Sequence, residues 1–211
     1  QSGTSHYFGD GFAKAFGVQY TDKENKLQYV HQTSWGISTR LIGGIIMTHG
    51  DNEGLVLPPA IAPIQVVIVP VAAHKPGVLE KAAEIAETLK KAGLRVKLDD
   101  SDQSPGWKYA QYEMKGVPLR LEIGPRDIEN GNCVLVRRDN REKTVVALDN
   151  LVESTQQMLK DFAKAIYEKA KANLEGNITP AHNIQEMKDI LQKRVGFVKA
   201  MWCGDEHCEE D

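Results

Sequence analysis

Between residues 64 and 175 the chain switches repeatedly between short apolar runs and helical periodicity, and this alternation restricts the fold more than any other feature. IQVVIVPV, residues 64–71, is nearly unbroken in its apolar character. It falls well short of the roughly 18 residues that a membrane span needs, so it reads as a strand buried on both faces. Pro76 then opens a helix that carries Leu79, Ala82, Ala83, Ala86 and Leu89 on one side and stops at Gly93. Leu94–Leu98 is the next strand, and Pro105–Lys115 a short helix. Val117–Ile123, Asn132–Arg137 and Thr144–Leu148 follow as strands, and Leu151–Ala172 as a long amphipathic helix through Leu159, Phe162 and Ile166. The order β-α-β-α-β-β-β-α predicts a mixed sheet with helices packed on it.

The flanks differ. Residues 1–63 are rich in glycine and polar side chains. GVQYTD and LQYVHQTS flank KENK as a hairpin would. Ser38–His49 is a helix candidate that Ser38 could cap, and VLPPAIAP reads as a linker. After residue 175, ITPAHNIQEMKDILQKR looks like a capped helix, VGFVKAMW like a strand and CGDEHC like half a metal knuckle. The start without Met and the acidic end lead us to expect a piece of a longer protein; the polar stretch after Gln1 is unlike a secretory signal.

With 26 basic and 29 acidic side chains the net charge is -3, so bulk charge does not favour a nucleic-acid partner, although a local patch suffices for one. Three cysteines make no disulfide framework, Cys133 fits a core strand, and cytosolic residence is the simplest expectation.

Three stretches carry chemistry. Arg40 leads an otherwise apolar helix, where a planar cation could stack on a nucleobase and neutralise a phosphate. The alternative is a surface arginine in an ion pair. In PGWKYAQYEMKGVPLRLEIGPRD, Tyr109 could stack on an unpaired base. Glu113 could accept from guanine N1 and N2, and Arg120 could donate to O6 and N7. Tyr109 and Glu113 are four apart and share a helix face. Trp107 could stack on a base or serve as a lid on the core, with the core role favoured, and GPRD reads as a turn, with Arg126 a candidate partner of Asp127 or RNA. Arg137, Arg138, Arg141 and Lys143 could contact phosphates or form a solvated hairpin face. Cys203 and Cys208 could supply half of a tetrahedral zinc site. His6 has no second ligand at metal spacing, which leaves it binding or packing roles.

SWGISTRLIGG, ending in HGDNEGLVLPP, resembles the third signature motif of class II aminoacyl-tRNA synthetases, and with GTSHYFG and KGVPLRLEIGPRD the chain resembles the prolyl-tRNA synthetase family in its archaeal and eukaryotic-like form. The resemblance spans essentially all 211 residues. It implies that residues 1–63 end an antiparallel class II catalytic domain, 64–175 form the mixed-sheet α/β anticodon-binding domain, and 176–211 begin a partial α+β C-terminal domain. It implies ATP-binding roles for Gln1, Thr4, Ser38 and Arg40, with Arg40 also catalytic, and a proline pocket lined by His6, Trp35 and Gly36. Tyr109, Glu113, Arg120 and Arg138 would face the guanines of the proline anticodon. The implied reaction joins proline to tRNA(Pro) through prolyl-adenylate, using ATP with Mg2+, in a cytoplasmic homodimer whose interface lies elsewhere. The family's first two motifs are absent, so this chain alone is expected to be inactive. The cysteine pair lacks its partners, so structural zinc is expected only in a fuller protein. The weighed alternatives are a non-catalytic RNA-binding relative and a histidyl, threonyl or glycyl ligase.

Overall fold

A computed structural model describes residues 3–202 and Gly204. Contacts divide the chain into two compact units, Gln1–Asn52 and Glu53–Asp211.

The first unit pairs β1 (Gly3–Gly9) antiparallel with β4 (Gln32–Ile37), and β2 (Gln19–Thr21) with β3 (Leu27–Tyr29) in the expected hairpin. Helix α1 (Gly11–Phe16) follows β1, and α2 runs from Arg40 to His49. Thr39 rather than Ser38 sits at the N-cap of α2; the Ser38 Oγ accepts a long bond from the Arg40 N–H, at 3.4 Å. Among the described residues of this unit only Ala13 is buried. Tyr7, Phe12, Phe16, Trp35, Ile37 and Met47 are all exposed, an amount of uncovered apolar surface that does not stabilise a domain by itself.

The second unit is built on a five-stranded sheet. Its strands are β5 (Val66–Pro70), β6 (Val96–Leu98), β7 (Leu119–Ile123), β8 (Asn132–Arg137) and β9 (Lys143–Ala147), in the spatial order β6-β5-β7-β8-β9. β5 lies parallel to both β6 and β7, whereas β8 and β9 run antiparallel to their neighbours. This is the mixed sheet that the sequence predicts. Every residue of β5 is buried because both faces are covered. Val66 and Ile68 pack with Leu119, Leu121, Cys133 and Leu135 against α3 (Val78–Lys91) and α6 (Leu151–Gly176). Val67 and Val69 face the other way, against Tyr112 and Val117, with Tyr109 packed on them.

Two local readings are corrected. Helix α3 begins at Val78, not Pro76, because Gly77 takes a left-handed φ of 82° as its N-cap. GPRD is not a bare turn: Pro125 occupies the first position of a short helix, α5 (Pro125–Glu129), and the Asp127 carboxylate accepts the Gly124 N–H at 2.7 Å.

Segment 53–57 crosses close under α4 (Pro105–Met114). The Leu55 and Leu57 N–H groups donate to the Met114 and Gly116 carbonyls at 3.0 and 3.3 Å. Farther along, Arg95 donates to the carbonyls of Pro59, Ala60 and Ala62, which ties the proline-rich stretch to this unit. At the far end β10 (Ile178–Pro180) pairs in parallel with β11 (Phe197–Lys199) around α7 (Ile184–Lys193), which Asn183 caps through the Glu186 N–H. Among the described residues no helix is long and apolar enough to cross a membrane.

Candidate nucleic-acid interface

Helix α4 and strand β7 bring the predicted base-reading residues together. Ser104 caps α4 and Pro105 fills its first turn, so the helix starts at a fixed place. Its inner face is anchored by Lys108 and Tyr112, which are 2% and 4% exposed. That anchorage turns Tyr109 and Glu113 onto the flank that faces β7. Alternation along LRLEI puts Leu119, Leu121 and Ile123 in the core and Arg120 with Glu122 on the opposite face.

Arg120 is the hub. Its Nη1 donates to Glu113 at 2.7 Å and its Nε to Glu122 at 2.9 Å. Its guanidinium lies 3.9 Å from the Tyr109 ring centroid, a stacked cation–π contact. Burial pushes the Tyr109 phenol up to about 12, helped by the Glu122 carboxylate to which it hydrogen-bonds. One planar cation is thus held between two carboxylates beneath an aromatic ring. Glu122 was not among the residues singled out from sequence, although its spacing of two from Arg120 on a strand places both on one face.

The basic cluster is less free than its composition suggests. Arg137 forks onto Asp139 at 2.7 and 3.0 Å. Arg138 is 5% exposed and its Nε donates to the Glu113 carbonyl at 2.8 Å. The expectation that Arg138 reaches a phosphate is corrected: its head is buried under the end of α4, where it holds Glu113 in place. Arg141 is exposed and lies 3.2 Å from Glu53, and Lys143 is exposed and 3.9 Å from Glu122. Trp107 is half exposed, so it is not a lid on the core; its backbone N–H donates to the Ser104 Oγ at the capped first turn.

In the first unit, register decides which residues can share a pocket. Thr4 lies opposite Gly36, and His6 opposite Ser34. These positions share one face of the β1–β4 pair, and the His6 ring stacks on Phe8, two residues on, with centroids 5.3 Å apart. Trp35 lies opposite Ser5 and is therefore on the other face. The expectation that Trp35 joins His6 and Gly36 in one proline pocket is corrected by this period-two alternation. Arg40 begins α2, as expected. Gln1, Cys203 and Cys208 lie outside the described residues. Among the described residues no group of three or more His, Cys, Asp or Glu side chains could hold a metal ion.

The second unit is therefore a mixed-sheet α/β domain that carries an aromatic–arginine–carboxylate cluster on one flank. Residues 65–158 match the family described as "Anticodon binding domain". Over its whole length the chain is similar to proteins named proline–tRNA ligase. It is 62% identical to the one from Ruminiclostridium cellulolyticum, 60% to that from Lachnoclostridium phytofermentans and 58% to that from Lachnospira eligens. In each case the whole chain is matched to 44% of the relative's length. The chain is thus similar throughout to the prolyl-tRNA synthetase family, and it spans less than half the length of the curated relatives it matches.

Proposed function

We propose that this chain is the anticodon-reading part, together with the third-motif part of the active site, of an enzyme that joins proline to tRNA(Pro). The observation that carries the reading is the Tyr109–Arg120–Glu113 cluster, which falls within the residues matched to the anticodon-binding family. A guanine offers donors at N1 and N2 and acceptors at O6 and N7. A carboxylate beside a guanidinium answers both, and Tyr109 supplies a stacking face. Arg138 positions Glu113 in this scheme instead of touching RNA.

Residues 1–63 would close the antiparallel catalytic domain, with 53–63 as the arm leading into the anticodon domain at 64–175; residues 176–211 would begin the C-terminal domain. The nearly coreless first unit and the greater length of the relatives both support a larger catalytic body around it. Within that body Gln1, Thr4, Ser38 and Arg40 would hold ATP, and His6 with Gly36 would line the proline pocket. A carboxylate oxygen of proline bonds to the α-phosphorus and pyrophosphate leaves. Such an in-line displacement needs positioning and positive charge, which Arg40 supplies, more than it needs a general base. Mg2+ would accompany ATP as part of the substrate. Cys203 and Cys208 could contribute to a zinc site only with two further ligands. A cytoplasmic homodimer completes the proposal.

ATP–pyrophosphate exchange by the full-length gene product tests the reading. Exchange should depend on proline and not on histidine, threonine or glycine, and the 211-residue chain alone should show none. Preference for another amino acid overturns the assignment. The non-catalytic alternative is not favoured, because the similarity to proteins named as ligases runs the whole length of this chain.

A further inference from the structure

Helix α4 covers only part of the second face of the sheet, and among the described residues the outermost strand on that side, β9, presents exposed side chains. The register lays out what it presents. Glu122 pairs with Val134, and Val134 with Val145, in one row across three strands. Arg120 pairs with Val136, and Val136 with Lys143, in the adjoining row. Residues opposite one another share a face, so both rows continue the surface that holds the base-reading cluster. Val136 is buried, whereas Val145 is 66% exposed and Val134 half-buried. An exposed β-branched side chain on an edge strand, next to a lysine with one loose 3.9 Å partner, is a patch that is apolar in its floor and cationic at its lip.

We propose that this outer edge of the sheet, floored by half-buried Val134 and exposed Val145 and edged by Lys143, carries the nucleotide adjoining the two anticodon guanines. The proposal rests on the anticodon reading above. The strand spacing puts Val145 roughly 10 Å across the sheet from Glu122, two strands away. A base beside the recognised pair, once splayed out of the loop stack, needs an apolar surface to lie on, and its phosphate needs a cation. Val145 and Val134 supply the first and Lys143 the second. Contact is through the face of the base and the backbone, so this position tolerates any base while the Arg120 cluster discriminates.

The test uses the full-length gene product and anticodon-loop hairpin RNAs with 2-aminopurine on either side of the two guanines. On one flank the fluorescence should rise on binding. Val145→Ser should abolish that rise while leaving intact the preference for guanine over adenine at the two read positions. Lys143→Gln should lower the slope of log affinity against log salt by about 0.7, the value for one phosphate contact on a single strand. Both side chains are exposed, so neither variant disturbs the core. If guanine preference is present but neither variant alters the flank signal or the salt slope, the proposal is overturned. Equal binding of hairpins with both guanines replaced by adenines overturns the anticodon reading itself, and this assignment with it.

Discussion

Lys108 is the most deeply buried charged side chain among the described residues, and its removal has a calculable effect. Its ammonium donates to the Asp99 and Ser101 carbonyls at 2.9 and 2.7 Å and lies 3.4 Å from the Asp99 carboxylate. Lys108→Met keeps the length of the stem and deletes the charge. It leaves a carboxylate 6% exposed and two carbonyls without their donor. Orphaning one partner of a buried pair costs about 3–5 kcal/mol. Asp99 keeps its bonds from Ser101 N–H and Oγ at 3.1 and 2.6 Å, which places the loss near the lower end, about 3 kcal/mol. Hydrogen exchange of the α4 and β5 amides reads this domain separately from the rest of the chain, and their protection should fall about a hundredfold. Adding Asp99→Asn to Lys108→Met removes both charges and should restore most of it. Burial works against ionisation of Asp99, but hydrogen bonds from Ser101 and Tyr112 and the Lys108 charge outweigh it and hold the carboxyl below its ordinary 3.8. The folded form therefore binds this proton more weakly than the unfolded form. The contribution is complete above pH 3.8 and is lost as pH falls through the folded value, and Lys108→Met should shrink that acid loss. Protection within twofold of the parent in Lys108→Met would refute the reasoning, because it would mean that the pair contributes nothing net.

Gly54→Ala and Gly116→Ala should each destabilise the anticodon domain by more than about 2 kcal/mol in urea unfolding, since the new methyls would meet Met114 Cα and Leu55 Cβ at 2.5 and 2.6 Å with φ of 134° and 70°. Tyr109 and Tyr112 are both pushed up to about 12, mainly by burial, whereas unfolded phenols ionise near 10. Between those values the unfolded chain sheds protons first, so stability should fall across pH 10 to 12; Tyr112→Phe should flatten that fall, as followed by circular dichroism and phenolate absorbance.

How much of this was legible in the sequence depended on the kind of interaction. The strands and helices of residues 64–175 were readable because IQVVIVPV, LRLEI and the α6 stripe announce their periods over several residues. Tyr109 and Glu113 could be paired from helical spacing alone. What spacing could not supply was pairing across the sheet. Trp35 and His6 are close to the same motif in sequence, yet a register of β1 against β4 that no local pattern encodes puts them on opposite faces. Arg138 looked like one member of a basic run, and only the position of the end of α4 beside it shows it buried on a carbonyl. Trp107 was judged by its apolar area, but its place on the helix is set by the anchored residues Lys108 and Tyr112, which turn it outward. The Asp99–Lys108 pair was equally hidden, because nothing in DDSDQSPGWKY says which charges are inside.

The charge balance also bears on how an acidic chain could read RNA. Arg120 is enclosed by Glu113 and Glu122, so the cluster carries one positive and two negative groups. A cleft of that balance repels a phosphate and offers nothing to a generic polyanion. It favours a ligand that brings its own donors to the carboxylates and its own acceptors to the guanidinium side by side, as the edge of a guanine does. Lys143, at the rim beside Glu122, is where the opposite preference begins. On this account affinity for the backbone and choice of base are separated in space: the paired interior selects, and the loosely held cation at the edge retains the strand. Neutralising Glu122 should then loosen base discrimination more than it weakens binding, the reverse of what neutralising Lys143 should do.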